Sequence, residues 1–478
     1  MLTYVGEFML LVRPNMLMDR KDRMVTAAMQ HCRWRGLLVG MLAFTFSLPV
    51  WAKEAAPQKP NAGELAKLVT KWEETRKQGT PAPSTCEPLA KDFEKFGNAY
   101  RAAEGFFNAG AVWDACGNST KAQALYKQAL TVSAKYSPAF TNLGYIALRA
   151  GDVAMAQQQF EAAREADPRN VQAYNGEALV LFEKAKAQNN DRMLLAQAVQ
   201  KLRRALALDA ESLPAYSLLA LIYYTASESD RLKLDLAELV CKQAKERNDK
   251  YPQIYNTLGL IKLRKNNVTG ALREFRNAVQ YDPKYVEAQL NIGAITLSSR
   301  DYKSAEEAFK AVVDAQPANQ AQLFDATMGM AVALRGQRRI DEAEQWYARA
   351  KTLNPKDCAI PYNLGILYQD YKASGETDLS KARTYFNEYT SCKGALTVRI
   401  QDAQRRIKDI DETFKALAEQ KKIEEENRKL QEEMERQQKQ QEQQKQQPER
   451  KEPAQAEPAK GQEPQPAHAA GASKPSKH

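Results

Sequence analysis

Histidine is almost missing from this chain of 478 residues: only His31, His468 and His478 occur. All three lie in the flanks, so the middle offers no imidazole for Ser–His nucleophile activation, a His general base or a His-ligated metal. Cysteine is sparse, with six in all and no CxxC pair, which removes the usual zinc and dithiol signatures. Long apolar runs are missing too. The longest useful stretch, Gly36 to Val50, is short of the ~20 residues that span a bilayer. Positive charge is present but not gathered. Of the net +10, residues 1–52 hold +3, residues 401–478 carry sixteen charges of each sign, and +7 is spread over the 348 residues between. A nucleic-acid binder concentrates such charge on one face, so no nucleic-acid partner is expected. Most enzyme designs, and any cofactor or small-molecule site built on them, are excluded with the histidines.

The N-terminus carries an export pattern. Arg33-Trp34-Arg35 precedes the apolar run, and Val50-Trp51-Ala52 follows it as a small-x-small cleavage site. An uncleaved membrane anchor is the alternative. Residues ahead of the basic segment fit no part of a signal, so translation is expected to start at Met24 or Met29. No cysteine follows the apolar run, which argues against a lipoprotein anchor. The mature chain, from Lys53, is expected to be exported to the periplasm with no transmembrane span.

Hydrophobic residues nevertheless make up 44% of the chain, and they recur. An alanine returns in one setting at Ala122, Ala156, Ala198, Ala237, Ala271, Ala305, Ala343 and Ala382. Four residues later stands Tyr126, Phe160, Leu202, Cys241, Phe275, Phe309, Tyr347 or Phe386, and three further on another mostly small residue. Ahead of each alanine lies a second small position: Gly110, Gly144, Ala178, Ala220, Gly259, Gly293, Ala331 and Gly365. Steps of four and three place these residues on one helix face. The small positions let two antiparallel helices approach closely, and the large residue fills the gap to the next pair. Pro138, Pro168, Pro283, Pro317 and Pro355 close five units and are expected to start the following helix.

This pattern resembles the tetratricopeptide repeat. It covers about residues 103–393 as eight units starting near Ala103, Ser137, Val171, Leu213, Pro252, Val286, Phe324 and Cys358, with loop insertions expected at 184–191, 227–231, 319–323 and 373–377. The resemblance implies an all-α, right-handed superhelical solenoid of about eight helix pairs. It also implies a concave groove, lined by the first helix of each pair, that takes a partner peptide. Carried over by position, the groove residues are Tyr145, Leu148, Leu179, Phe182, Leu221, Tyr224, Leu260, Leu263, Leu297 and Ile366. Asn108, Asn142, Asn291 and Asn363 stand just before the small position and would bond a peptide backbone. The alternative is that the asparagines cap local backbone and the apolar residues are interhelix core. Such a groove is apolar with isolated Arg149 and Arg264, and suits an apolar segment better than an acidic C-terminus.

Cysteine spacing fits an oxidising compartment. Cys86 and Cys116 sit at adjoining ends of consecutive predicted helices, and so do Cys358 and Cys392, so antiparallel packing makes both disulfides plausible. Five unpaired thiols are the alternative. Cys241 falls on a core position.

The expected organisation is a leader and signal peptide at 1–52, N-terminal helices and a cap at 53–102, the eight units at 103–393, a capping and then extended helix at 394–447, and a disordered tail at 448–478. Asn61, Leu65, Leu68 and Trp72 mark the first helix. Ile400, Ile407, Ile410, Phe414 and Leu417 give the C-terminal helix an apolar stripe that caps the last unit or forms a short coiled coil. From Glu435 onward no aliphatic residue exceeds alanine and no aromatic occurs, so nothing there drives packing. Export, repeats and the missing catalytic residues point to a non-enzymatic scaffold whose partners are other envelope proteins, bound by groove or tail. The layout is similar to that of exported repeat scaffolds in gliding-motility machinery. A chaperone or assembly factor for exported proteins is the alternative. An enzyme would need a catalytic domain, and no stretch outside the repeats is long and apolar enough to form one.

Overall fold

A computed structural model describes residues 61–77, 82–317, 319–372 and 375–445. The expected leader and signal at 1–52 and the tail at 448–478 lie outside the described residues. Two compact units divide the chain, Met1–Thr397 and Val398–His478.

The first unit is helical throughout its described residues. It opens with α1 (Ala62–Lys77) and α2 (Pro83–Tyr100). Asn61 caps α1 through its side-chain oxygen, which accepts from the backbone N–H groups of Gly63 and Glu64 at 3.1 and 3.3 Å. Eight antiparallel pairs follow, each a first helix A and a second helix B. They are α3 (Ala103–Ala115) with α4 (Ser119–Val132), α5 (Ser137–Arg149) with α6 (Val153–Ala166), and α7 (Val171–Ala187) with α8 (Arg192–Leu208). Then come α9 (Leu213–Ala226) with α10 (Leu232–Arg247), α11 (Pro252–Arg264) with α12 (Val268–Tyr281), and α13 (Val286–Ser298) with α14 (Tyr302–Ala315). The last are α15 (Gln320–Gly336) with α16 (Ile340–Leu353), and α17 (Ala359–Ile366), extended by a π-helical turn at Leu367–Lys372, with α18 (Glu376–Thr390).

Size complementarity locks each pair. A methyl group added at Gly110 would fall 2.7 Å from the Tyr126 ring, at Gly144 2.7 Å from Phe160, at Gly259 2.4 Å from Phe275 and at Gly365 2.6 Å from Phe386. The ring of the B helix therefore rests on the bare backbone of its own A helix. Phe160 also reaches forward to Gly176, and Phe309 to Gly329, where added methyls would meet them at 2.2 and 2.5 Å. Where the A helix carries Ala178 or Ala220 instead, the B helix answers with the smaller Leu202 or Cys241, all four fully buried. Unit seven keeps a full ring opposite Ala331, and there the buried Tyr347 hydroxyl makes no hydrogen bond. Most B helices are capped by an Asn or Asp that precedes them. Asn118, Asp152, Asp191, Asn267 and Asp301 each accept from the backbone N–H three residues on.

Several local expectations are corrected. Pro138 lies in the first turn of α5, as do Pro214 and Pro252 in α9 and α11. Pro168, Pro283 and Pro355 sit instead in the turn ahead of the next helix and stop the old one without starting the new. Unit seven begins at Gln320, not Phe324, because the residues expected as a loop add a helical turn capped by Asn319. Helix α7 likewise runs through much of its expected insertion, and the reversal is made by Asn189 and Asn190 at φ 56° and 60°, which asparagine tolerates. In unit eight the extra length begins earlier than 373, as the π turn at Leu367–Lys372.

Disulfides join Cys86 to Cys116 and Cys358 to Cys392, with Cα–Cα distances of 6.5 and 5.8 Å. They tie α2 to the end of α3, and the start of α17 to the end of α18. Cys241 is a buried free thiol, its pKa pushed up to about 12 by burial.

The second unit is dominated by α19 (Thr397–Lys445), a single helix of 49 residues. Residues 418–443 are exposed on every side. Pairs one turn apart support it there, Lys429 with Glu425 at 2.8 Å and Gln420 with Glu424 at 2.8 Å. Among the described residues of the chain, no helix is long and apolar enough to cross a membrane.

Candidate partner-binding cleft

The A helices of units two to seven wall a cleft of about 550 Å³. Its floor is apolar where Leu179, Leu218, Leu221 and Leu260 present half-buried side chains. The repeat explains why these residues arrive together: Leu179, Leu221 and Leu260 each stand one residue after the small position of their unit. Phe182 and Tyr224 stand four after it, on the same helix face. Tyr145 closes one end, its ring edge-on to Phe160 at 5.0 Å between centroids. Burial pushes its hydroxyl up to about 12.

Six amides stand among the polar groups of the wall. Asn175 is 4% exposed, and neither its side-chain nitrogen nor its oxygen makes a hydrogen bond within the protein. The side-chain oxygens of Gln253 and Asn190 are buried and unpaired as well. Asn291 donates to Asn256 Oδ1 at 3.0 Å, linking the walls of units five and six. A buried polar group without a partner costs about 1–3 kcal/mol, so the cleft holds recognition groups that the chain itself leaves unused.

Charge in the cleft is uneven. Lys186 is its one lining cation among the described residues, and it is already paired with Glu183 at 2.6 Å. At the other end, Glu287 and Asp325 line the wall. Glu287 accepts from Gln322 Nε2 at 3.0 Å. Burial, with the Asp357 carboxylate adding to it, pushes Asp325 up to about 7. Tyr285 is driven above its ordinary value, mainly by burial.

Seven of the sequence-derived groove residues line this cleft: Tyr145, Leu179, Phe182, Leu221, Tyr224, Leu260 and Asn291. The other seven do not. Asn108 and Asn363 donate to the carbonyls of Glu104 and Ala359, each at 2.8 Å and one turn back in their own helices. Asn142 donates to the Tyr126 hydroxyl at 2.9 Å. Leu297 is 2% exposed and is core. Leu148 packs in the cluster of Phe160, and Leu263 in that of Phe275. Ile366 is half-buried where α17 passes into its π turn. Arg149 is held by Asp114, while Arg264 stacks on Tyr224 with 3.9 Å to the ring centroid and donates to the Tyr224 carbonyl at 2.6 Å. Neither arginine is free to clamp a carboxylate.

Six of the residues that sequence reasoning missed share two repeat positions. Asn175, Ser217 and Asn256 stand three residues before the small position of their units. Gln253, Glu287 and Asp325 stand six before it in units five, six and seven. Reading the deviations at a fixed repeat position, and not only the repeated residues, would have found both.

Residues 141–189 and 256–320 match the family model described as tetratricopeptide repeat. A BBSome complex member of Caenorhabditis elegans is 28% identical over 116 residues, 24% of this chain and 24% of that protein. The match thus spans about a quarter of the relative's length. Among solved structures, a thermophilic tetratricopeptide-repeat protein of Thermus thermophilus aligns at 22% identity and TM-score 0.37, covering 41% of this chain and all of that one. A human IFIT1 dimer with m7Gppp-AAAA aligns at 16% identity and TM-score 0.47, covering 74% of this chain and 82% of that one. With the family match on units two, three, five and six and the same ring-on-glycine geometry on either side of them, the eight helix pairs from Ala103 to Thr390 have the fold of a tetratricopeptide-repeat solenoid.

Proposed function

We propose that this protein is an exported, periplasmic scaffold without catalytic activity, which holds subunits of a cell-envelope complex together through the cleft on its A helices. The observation that carries the reading is Asn175, a buried amide with both hydrogen-bonding atoms unused in the wall of an apolar cleft. A segment of another protein supplies both the main-chain partners for that amide and the apolar surface for Leu179, Leu221 and Leu260. The signal-like N-terminus and two disulfides support an oxidising, exported setting. The order of signal, repeats and Gln-rich C-terminal segment is similar to that of the tetratricopeptide-repeat component of the myxobacterial adventurous gliding-motility machinery. A gliding machine is therefore the finer form of the proposal, resting on layout alone.

The test is affinity purification from native envelopes after mild crosslinking, comparing the wild type with Ser217→Trp, which fills the cleft from its half-buried wall. A small, fixed set of envelope proteins that the variant loses supports the scaffold. A broad, changing population of exported proteins would replace it with a chaperone.

A further inference from the structure

Six residues before the small position, consecutive units present Gln253, Glu287 and Asp325 to the cleft. The wall thus passes from an amide to two carboxylates within three repeats. Among the described residues no cation is paired with either carboxylate. Asp325 has no hydrogen bond or ion pair among the described residues, and its charged neighbour is another carboxylate, Asp357. Glu287, exposed at the cleft's edge, accepts from the Gln322 amide. The cleft's single ammonium, Lys186, is committed to Glu183 and to the Phe182 ring. Asn175, nine-tenths buried and unpaired, independently marks the same cleft as made for a ligand. A half-buried carboxyl without a counter-charge either takes up a proton or is held ionised by a cation from outside.

We propose that the cleft takes an extended segment of a partner protein that brings a lysine or arginine side chain to Asp325 and Glu287, lays apolar side chains on Leu179, Leu221 and Leu260, and offers a main-chain amide to Asn175. This rests on the scaffold reading and names its partner's chemistry. Charge complementarity selects the occupant: an acidic or phosphorylated segment would stand against two carboxylates, and the committed lysine offers no compensation. Burial and the Asp357 carboxylate raise Asp325 to about 7 in the free cleft. Seating an ammonium or guanidinium there draws the carboxyl into its ionised form and releases a proton.

A displayed library of random dodecapeptides, selected on the full chain and counter-selected on Ser217→Trp, tests the assignment. Fluorescence polarisation of a labelled consensus peptide then gives affinities. The expected outcome is enrichment of one Lys or Arg position among apolar residues. Asp325→Asn should weaken the peptide about tenfold or more, and replacing the peptide's basic residue with Gln should do the same. The two changes together should cost little more than either alone, because they remove one interaction. Cleft-dependent peptides without a basic residue, or affinities that Asp325→Asn leaves unchanged, would overturn the inference while the scaffold reading stands. Selected peptides that ignore Ser217→Trp, or no binders at all, would sink both. Peptides matching a stretch of this chain would assign the cleft to its own terminus or to a second copy, and overturn the partner assignment.

Discussion

The seam inside each helix pair and the wall of the cleft are built from the same A helices, yet they follow opposite rules. Along the seam the chain repeats itself: glycine meets a ring at Gly110, Gly144, Gly259, Gly293 and Gly365, and alanine meets a smaller side chain at Ala178 and Ala220. Along the cleft it varies, with Asn175, Ser217, Asn256 and Leu290 at one repeat position and Pro214, Gln253, Glu287 and Asp325 at another. Packing demands one solution to one geometric problem, solved once per unit. Recognition demands that each unit differ from the next. Repetition therefore carries the fold, and departure from repetition carries the partner.

The largest expected effect breaks the seam. Gly144→Leu would drive a side chain into Phe160, which already lies 2.7 Å from an added methyl. It should cost about 3 kcal/mol and lower the midpoint of thermal unfolding followed by circular dichroism. Gly144→Ala with Phe160→Leu imitates the pairing of unit three and should lose less than the sum of its two single changes. A purely additive result would mean that seam complementarity is not what locks the pair. Next in size is the N-terminal disulfide. Cys86→Ser with Cys116→Ser opens a bridge of sequence separation 30 and should cost roughly 3 kcal/mol. Hydrogen exchange should rise in α2 and α3 first, leaving α11 to α14 protected.

The seam was legible because its signal is summed over eight units: one glycine is ambiguous, but a glycine with a ring at fixed distance in most of them is not. Half of the groove was legible for the same reason, since Leu179, Leu221 and Leu260 share a repeat position. Asn108 and Asn363 were misread because a helical asparagine can bond the carbonyl one turn back, a choice that spacing does not reveal. Leu297 was misread because its neighbours bury it fully, which depends on the tertiary packing of the pairs. The carboxylates escaped because their signal is a departure at one repeat position, six before the small residue, and a search for what repeats passes over departures.

On the cleft side, Ser217→Trp should weaken partner capture by about tenfold or more. It should move the unfolding midpoint by no more than a few degrees, because Ser217 is half-buried in the wall and not in the seam. That contrast with Gly144→Leu is the sharpest test of the division: one change should lower stability and binding together, the other binding alone. If Ser217→Trp unfolds the chain, wall and seam are one structure and the division fails.

The smallest effect is electrostatic and has a definite sign. Asp325 has its folded-state pKa raised from 3.8 to about 7. Between those values the folded chain holds a proton that the unfolded chain has released, so stability falls as pH rises through that window. The stability associated with the neutral carboxyl is thus fully present below pH ~4 and lost as pH passes ~7. The whole shift would carry ~4 kcal/mol, but the side chain opens onto the cleft, so about 1 kcal/mol is the expected share. Asp325→Asn has no proton to lose. Its stability relative to wild type, from urea unfolding at pH 5 and pH 8, should be nearly unchanged at the lower pH and higher by about 1 kcal/mol at the higher. A variant equally stable at both would show that Asp325 is solvated well enough to ionise freely. The acidic end of the cleft would then be an ordinary surface, and the difference between wall and seam would rest on the amides alone.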